Sequence, residues 1–204
     1  MKQLKRLAAA VLLFCASAAW AQQTNRDTPS TPEERKRAVT VTRRLEKNPL
    51  GQEAAADRAW LNDWIIEIPD ITVPVCDELL KPLLVSEGSR YRYSKELVSQ
   101  QLAGGMAYLI EHPQDAKHVK DQDDQDDFAI NKAGMESMLN AYEAIVKSGA
   151  KEGSWGPLDD MVKKRQAGQL DEFVRTATLK CVTGDTVTAG LRLPSCTGRQ
   201  GQAH

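Results

Sequence analysis

The chain has 204 residues, with 27 Lys plus Arg against 28 Asp plus Glu for a net charge of -1, and a hydrophobic fraction of 41%. A near-neutral charge supplies no basic face to displace counterions from phosphates, so the composition argues against a general nucleic-acid binder, and its moderate apolar content argues against an integral membrane protein. The length supports one modest core.

Lys2, Lys5 and Arg6 precede the apolar run Leu7 to Ala19, and Ala19-Trp20-Ala21 stands before Gln22. This order of charged, apolar and small residues is that of a secretory signal cleaved near Ala21. Thirteen helical residues reach about 20 Å against a hydrocarbon core of about 30 Å, too short for a lasting anchor. Phe14 before Cys15 argues against lipid attachment there, since such sites need a small residue at that position. Residues 22–204 carry 24 cations and 28 acids, a net -4. The exported chain is therefore mildly acidic and is expected in the bacterial periplasm or outside the cell.

Gln22 to Ser30 is polar and aperiodic, and is expected to be a disordered linker. A helical domain follows over 31–182. Thr31-Pro32-Glu33-Glu34 opens a first helix, with Thr31 as cap, Pro32 in the first turn and two acids favoured by the dipole. Ala38, Val41 and Leu45 form its apolar stripe. Asn48 to Gly51 breaks it, and a second helix runs from about Gln52 to Ile68 with Ala56, Trp60, Trp64, Ile65 and Ile68 as its core stripe. So short a link predicts antiparallel packing of the two. From Pro69 to Pro74 the chain reads as extended, since Pro74 pushes Val73 that way, but a single strand has no partner. A brief helix spans about Pro74 to Leu80, and a loop covers Ser86 to Tyr93.

Ser94 is placed to cap a longer helix, Lys95 to Glu111, with a strongly apolar face. Gly104-Gly105 inside it costs about 1 kcal/mol per glycine relative to alanine, which predicts close approach of another backbone. The next helix runs from the acidic stretch at 121–127 through Lys147, burying Phe128, Met135, Met138, Leu139, Tyr142, Ile145 and Val146. Helices over Leu158 to Lys164 and Leu170 to Lys180 close the domain, and 183–204 is a flexible tail. The class is all-α, a compact bundle of six or seven antiparallel-type helices built from helical hairpins.

Ala107-Tyr108 and Ala141-Tyr142 lie 34 residues apart, and Leu45 to Pro49 resembles Leu109 to Pro113. Over these few positions the chain resembles a tetratricopeptide array, which implies repeat-like hairpins. The two proline segments lie 64 apart, however, and the full small-and-large pattern is missing. A bundle is the preferred reading.

Export leaves three cysteines in an oxidising space, Cys76, Cys181 and Cys196. Pairing Cys76 with Cys181 closes about 105 residues, an entropic effect of about 4 to 5 kcal/mol, while Cys181 with Cys196 closes about 15, about 3 kcal/mol. Both bonds are energetically open. The ends of two helices favour Cys76 with Cys181 over a cysteine in a loose tail.

Three features bear on chemistry. The acidic run Asp121, Asp123, Asp124, Asp126 and Asp127 offers carboxylates to a calcium ion, yet it has Asp126 and Lys132 where an EF-hand requires glycine and glutamate, so an acidic helix start is the preferred reading. Arg90-Tyr91-Arg92-Tyr93 interleaves cations with aromatics, a composition suited to partner recognition and equally to tyrosines leaning on a core. Cys76 near a helix start, or a carboxylate, paired with His112 or His118 would make a hydrolase-like centre. No GxSxG, HExxH, phosphate-binding or dinucleotide-binding motif occurs. The preferred reading is an exported helical binding or adaptor protein of the cell envelope, without cofactor or catalytic centre, whose partner is a protein or envelope component.

Overall fold

The computed structural model describes residues 26–83, 91–115 and 124–183, with backbone alone at 124–126. The leader and its cleavage site, Arg90, His118, Asp121, Asp123, Cys196 and the tail lie outside the described residues. Among the described residues seven α-helices follow in order: α1 Pro32–Lys47, α2 Ala54–Glu67, α3 Asp77–Leu80, α4 Ser94–Glu111, α5 Asp124–Lys147, α6 Gly156–Gln166 and α7 Leu170–Thr183. A 3-10 turn at Lys81–Leu83 extends α3. The described residues contain no strand, so the chain is an all-α bundle. None of the described helices is long and apolar enough to cross a membrane.

α1 starts as its sequence requires. Thr31 Oγ1 accepts from the Glu34 N–H at 3.2 Å, and the Glu34 carboxylate accepts from the Thr31 N–H at 2.8 Å, a reciprocal capping box. The start of α4 is different from expectation. Ser94 is its first helical residue, and Tyr93 stands at the cap without a side-chain bond. Tyr93 instead sends its hydroxyl to the Lys151 carbonyl at 2.9 Å, a tertiary contact that leaves the helix without a side-chain cap.

α1 and α2 pack antiparallel. Arg37 lies over Trp60, while Arg44, further along α1, reaches back to Asp57 and Glu53. α4 and α5 are also antiparallel and make the closest seam in the molecule. A Cβ on Gly104 would collide with the Ser137 side chain, and one on Gly134 would lie 2.7 Å from the Gln101 carbonyl oxygen. These glycines let two backbones meet, and the packing returned offsets their helix-propensity cost. The seam also buries polar groups that periodicity does not flag. Gln100 Nε2 donates to Ser137 Oγ at 2.8 Å and to the Thr42 carbonyl at 3.2 Å, and Ser137 donates to Glu46 Oε1 at 2.6 Å.

The apolar interior divides in two. One cluster joins Leu79, Tyr91, Met138, Tyr142, Leu158 and Val174, from α3 to α7. The other joins Val41, Leu45, Leu61, Trp64, Met106 and Ile130, from α1, α2, α4 and the start of α5. Cys76 and Cys181 form a disulfide with Cα atoms 5.6 Å apart, fastening α3 to α7 in the first cluster.

Some expected core positions are elsewhere. Ala56 and Val146 are exposed and Trp60 is only half-buried, while Ala54 and Leu61 do the packing on α2. The polar linker is tied down over 26–30. Arg26 pairs with Glu34 at 2.6 Å, and Asp70 accepts from the Ser30 N–H at 2.8 Å, the Ser30 hydroxyl at 2.7 Å and Arg35 at 2.6 Å. Charged hydrogen bonds of this kind order a stretch that has no apolar anchor. After a bend at Pro69 and Asp70, the segment 71–76 runs without a strand partner among the described residues, its Ile71 buried and Val73 set against Gly105.

Candidate functional site

The sequence of α2, AAADRAWLNDWIIE, is apolar on two sides. Ala54, Leu61 and Trp64 face the core. Ala55, Ala59, Asn62 and Ile66, spaced four, three and four apart, form one exposed ridge on the opposite side. Asn62 interrupts this ridge, and the exposed acids Asp63 and Glu67 flank it. Here the outer side is open, and Ile66 is 78% exposed.

α4 lies beside this ridge and runs in the same direction, with Asn62 bonded to Ser99 and Arg58 near Glu96 one turn earlier. Between the helices is an open groove of about 440 Å3, walled by Ile65 and Ile66 on one side and Lys95, Val98 and Leu102 on the other. The Ser99 hydroxyl donates to Asn62 Oδ1 at 2.7 Å across it, so the main polar pair along the wall is satisfied internally. Ile65 packs on one core cluster and Val98 on the other, which puts the groove at the seam between them.

Charge around the groove is sparse. Lys95 on the α4 wall and Asp63 beside the ridge are both exposed, and neither forms an ion pair or side-chain hydrogen bond among the described residues. Arg58 is occupied with the Pro49 carbonyl at 2.6 Å, and burial pulls its guanidinium down from the ordinary arginine value. Such a surface can take an apolar side chain at low desolvation cost and an ion of either sign at its edges.

The residues singled out by sequence are dispersed. Tyr91 is 2% exposed, its ring against Tyr93, Tyr142 and Trp155 and its hydroxyl on the Gly153 carbonyl at 2.7 Å. Arg92 is exposed and pairs with Glu152 at 3.4 Å. The Cys76 sulfur is buried in its disulfide and carries no thiol. His112 ends α4, stacked on Tyr108 with ring centres 4.2 Å apart and Nδ1 3.0 Å from the Tyr108 carbonyl oxygen. Tyr108 packs on the second core cluster whereas Cys76 belongs to the first, so the structure does not bring these two candidates into one site. Of the acidic run, Asp127 lies in the first turns of α5, and Asp124 and Asp126 contribute helical backbone there. No group of three metal-ligating side chains occurs among the described residues.

Ile66 is the groove residue that the sequence does not single out. The expected core stripe of α2 includes Ile65 and Ile68 but gives the isoleucine between them no role. The signal was present in the pair itself, since adjacent helical residues point 100° apart and cannot share a narrow inward stripe. No protein-family model, curated protein or solved structure matches this chain.

Proposed function

We propose that this chain is an exported helical binding protein, an adaptor of the bacterial cell envelope, which takes an apolar segment of a partner protein into the groove between α2 and α4. One observation carries the reading: Ile66, 78% exposed, stands beside an apolar groove of about 440 Å3 on a helix whose core side is already filled. Exposed apolar surface joined to a recess is the usual mark of an interaction site. The net -4 of residues 22–204 supports a protein rather than a nucleic-acid partner. The leader supports a place in the periplasm or beyond.

The test is a photo-crosslinking amino acid introduced at Ile66, compared with the same group at Lys164 on exposed α6 surface, in cells of the source bacterium. A discrete adduct at position 66 alone, on a chain that begins at Gln22, is the expected result. Equal labelling at both positions defeats the groove as a binding site.

A further inference from the structure

We infer that the occupant of the α2–α4 groove is a second copy of this chain, joined through a two-fold interface. This rests on the groove being a binding site, as proposed above, and adds the identity of the partner.

A two-fold interface uses one patch twice, so the patch must be complementary to itself. This patch has the required features. Its protruding member is Ile66, and its recess is the groove walled by Val98 and Leu102 on the other helix. Turning one copy onto another lets each Ile66 enter the partner's recess. Ala55 and Ala59 continue the Ile66 ridge without bulk, so a helix from the second copy can approach closely along α2.

The charges carry the choice of a second copy. Lys95 stands on the α4 wall, and Asp63 stands beyond the ridge on the opposite edge. Both are exposed and neither has an ion-pair partner among the described residues. A copy turned onto the patch brings one copy's Lys95 toward the other's Asp63, twice by symmetry. Opposite charges at the rim of an apolar contact fix register and suppress wrong partners. A partner with a uniformly acidic or basic segment would satisfy one rim and oppose the other.

Sedimentation velocity of the exported chain, from nanomolar to hundreds of micromolar, should show a reversible monomer–dimer equilibrium. Ile66→Lys should weaken association at least about thirtyfold, the scale of an interface hot spot, with an unchanged circular dichroism spectrum because the side chain is outside the core. Lys95→Glu and Asp63→Lys should each weaken the dimer, and the double variant should recover it. A wild-type monomer at every concentration, or a dimer indifferent to Ile66→Lys, overturns the inference. A double variant no better than the singles removes the charge pairing and overturns it as well. The crosslink at position 66 separates this from the binding reading. An adduct of twice the chain's mass supports a second copy, an adduct of another mass overturns it while leaving the groove a binding site, and no adduct overturns both.

Discussion

The two core clusters are closed by different means. Around Tyr91 and Tyr142 the closure is covalent and buried. The disulfide joins α3 to α7, Tyr91 donates to the Gly153 carbonyl, Trp155 donates its N–H to the Tyr142 oxygen at 2.8 Å, and Trp155 Nε1 reaches the Pro82 carbonyl at 2.8 Å. Around Leu61 and Met106 the periphery is held by guanidinium groups, Arg35 on Asp70, Arg44 on Asp57 and Arg37 over Trp60. Exposed ion pairs contribute about 0 to 1 kcal/mol each, whereas a disulfide closing a long loop contributes several. The contrast teaches where association is expected. The first region is stapled covalently although Val75, Leu179 and Val182 beside the staple stay exposed, and the second ends in a helix whose Ile66, at 78%, is the most exposed large apolar side chain among the described residues.

The strongest way to break this comparison is to remove the staple. The Cys76→Ala, Cys181→Ala double variant should lose about 4 kcal/mol of unfolding free energy in urea, with hydrogen exchange accelerating first in α3 and α7. A loss below about 1 kcal/mol would make the two regions alike in their means of closure. Next in size is the seam that both regions share. Gly134→Ala gains about 1 kcal/mol of helix propensity but puts a methyl 2.7 Å from the Gln101 carbonyl oxygen, and overpacking of about 2 kcal/mol leaves a net loss of about 1 kcal/mol. Exchange should then rise on both sides together, because α4 and α5 serve both clusters.

The smallest effect distinguishes the regions by pH, with opposite signs. The Arg26 hydrogen bond, then the Thr31 N–H, hold Glu34 at about 2. Burial opposes ionisation of Asp70, but the Ser30 and Arg35 hydrogen bonds outweigh it and its pKa also falls. For acids with depressed values, the stabilisation is complete above the ordinary carboxylate range and is lost as pH falls through the folded values. The 26–35 strap should therefore loosen toward pH of about 2. Burial first, then the bond to Asp159, pushes Tyr142 up to about 12, and burial raises Tyr91 as well. A folded state that retains those protons loses stability once pH rises above the ordinary tyrosine value of about 10. Amide exchange near Ser30 in acid, and tyrosinate absorbance with exchange near Gly153 in alkali, should move independently of each other.

Much of the fold was legible in the residues, for local reasons. Thr31 and Glu34 mark the start of α1 because their side chains serve backbone groups only three residues away. Gly104 and Gly105 announced a close backbone because their cost has no local return. Cys76–Cys181 was one of two pairings that the sequence left open, favoured by the helix ends, and it is the one formed. Other features were not legible because the partner that decides them is distant. Ser30 is bonded to Asp70, forty residues away, and the Tyr93 hydroxyl reaches Lys151. For the candidate site the legible part was smaller. The Arg-Tyr-Arg-Tyr segment stood out by composition, yet Tyr91 is spent on packing, while Ile66 sat unnoticed between two core residues.

The sequence by itself determined the all-α class and most of the helices with their breaks, because propensity and capping act over short range. Which side of α2 faces water was decided only by tertiary structure. Periodicity locates an inward face when polar residues occupy the other one. A helix apolar on both sides has two such candidates, and the neighbours that packed against Leu61 and Trp64 left Ile66 outside.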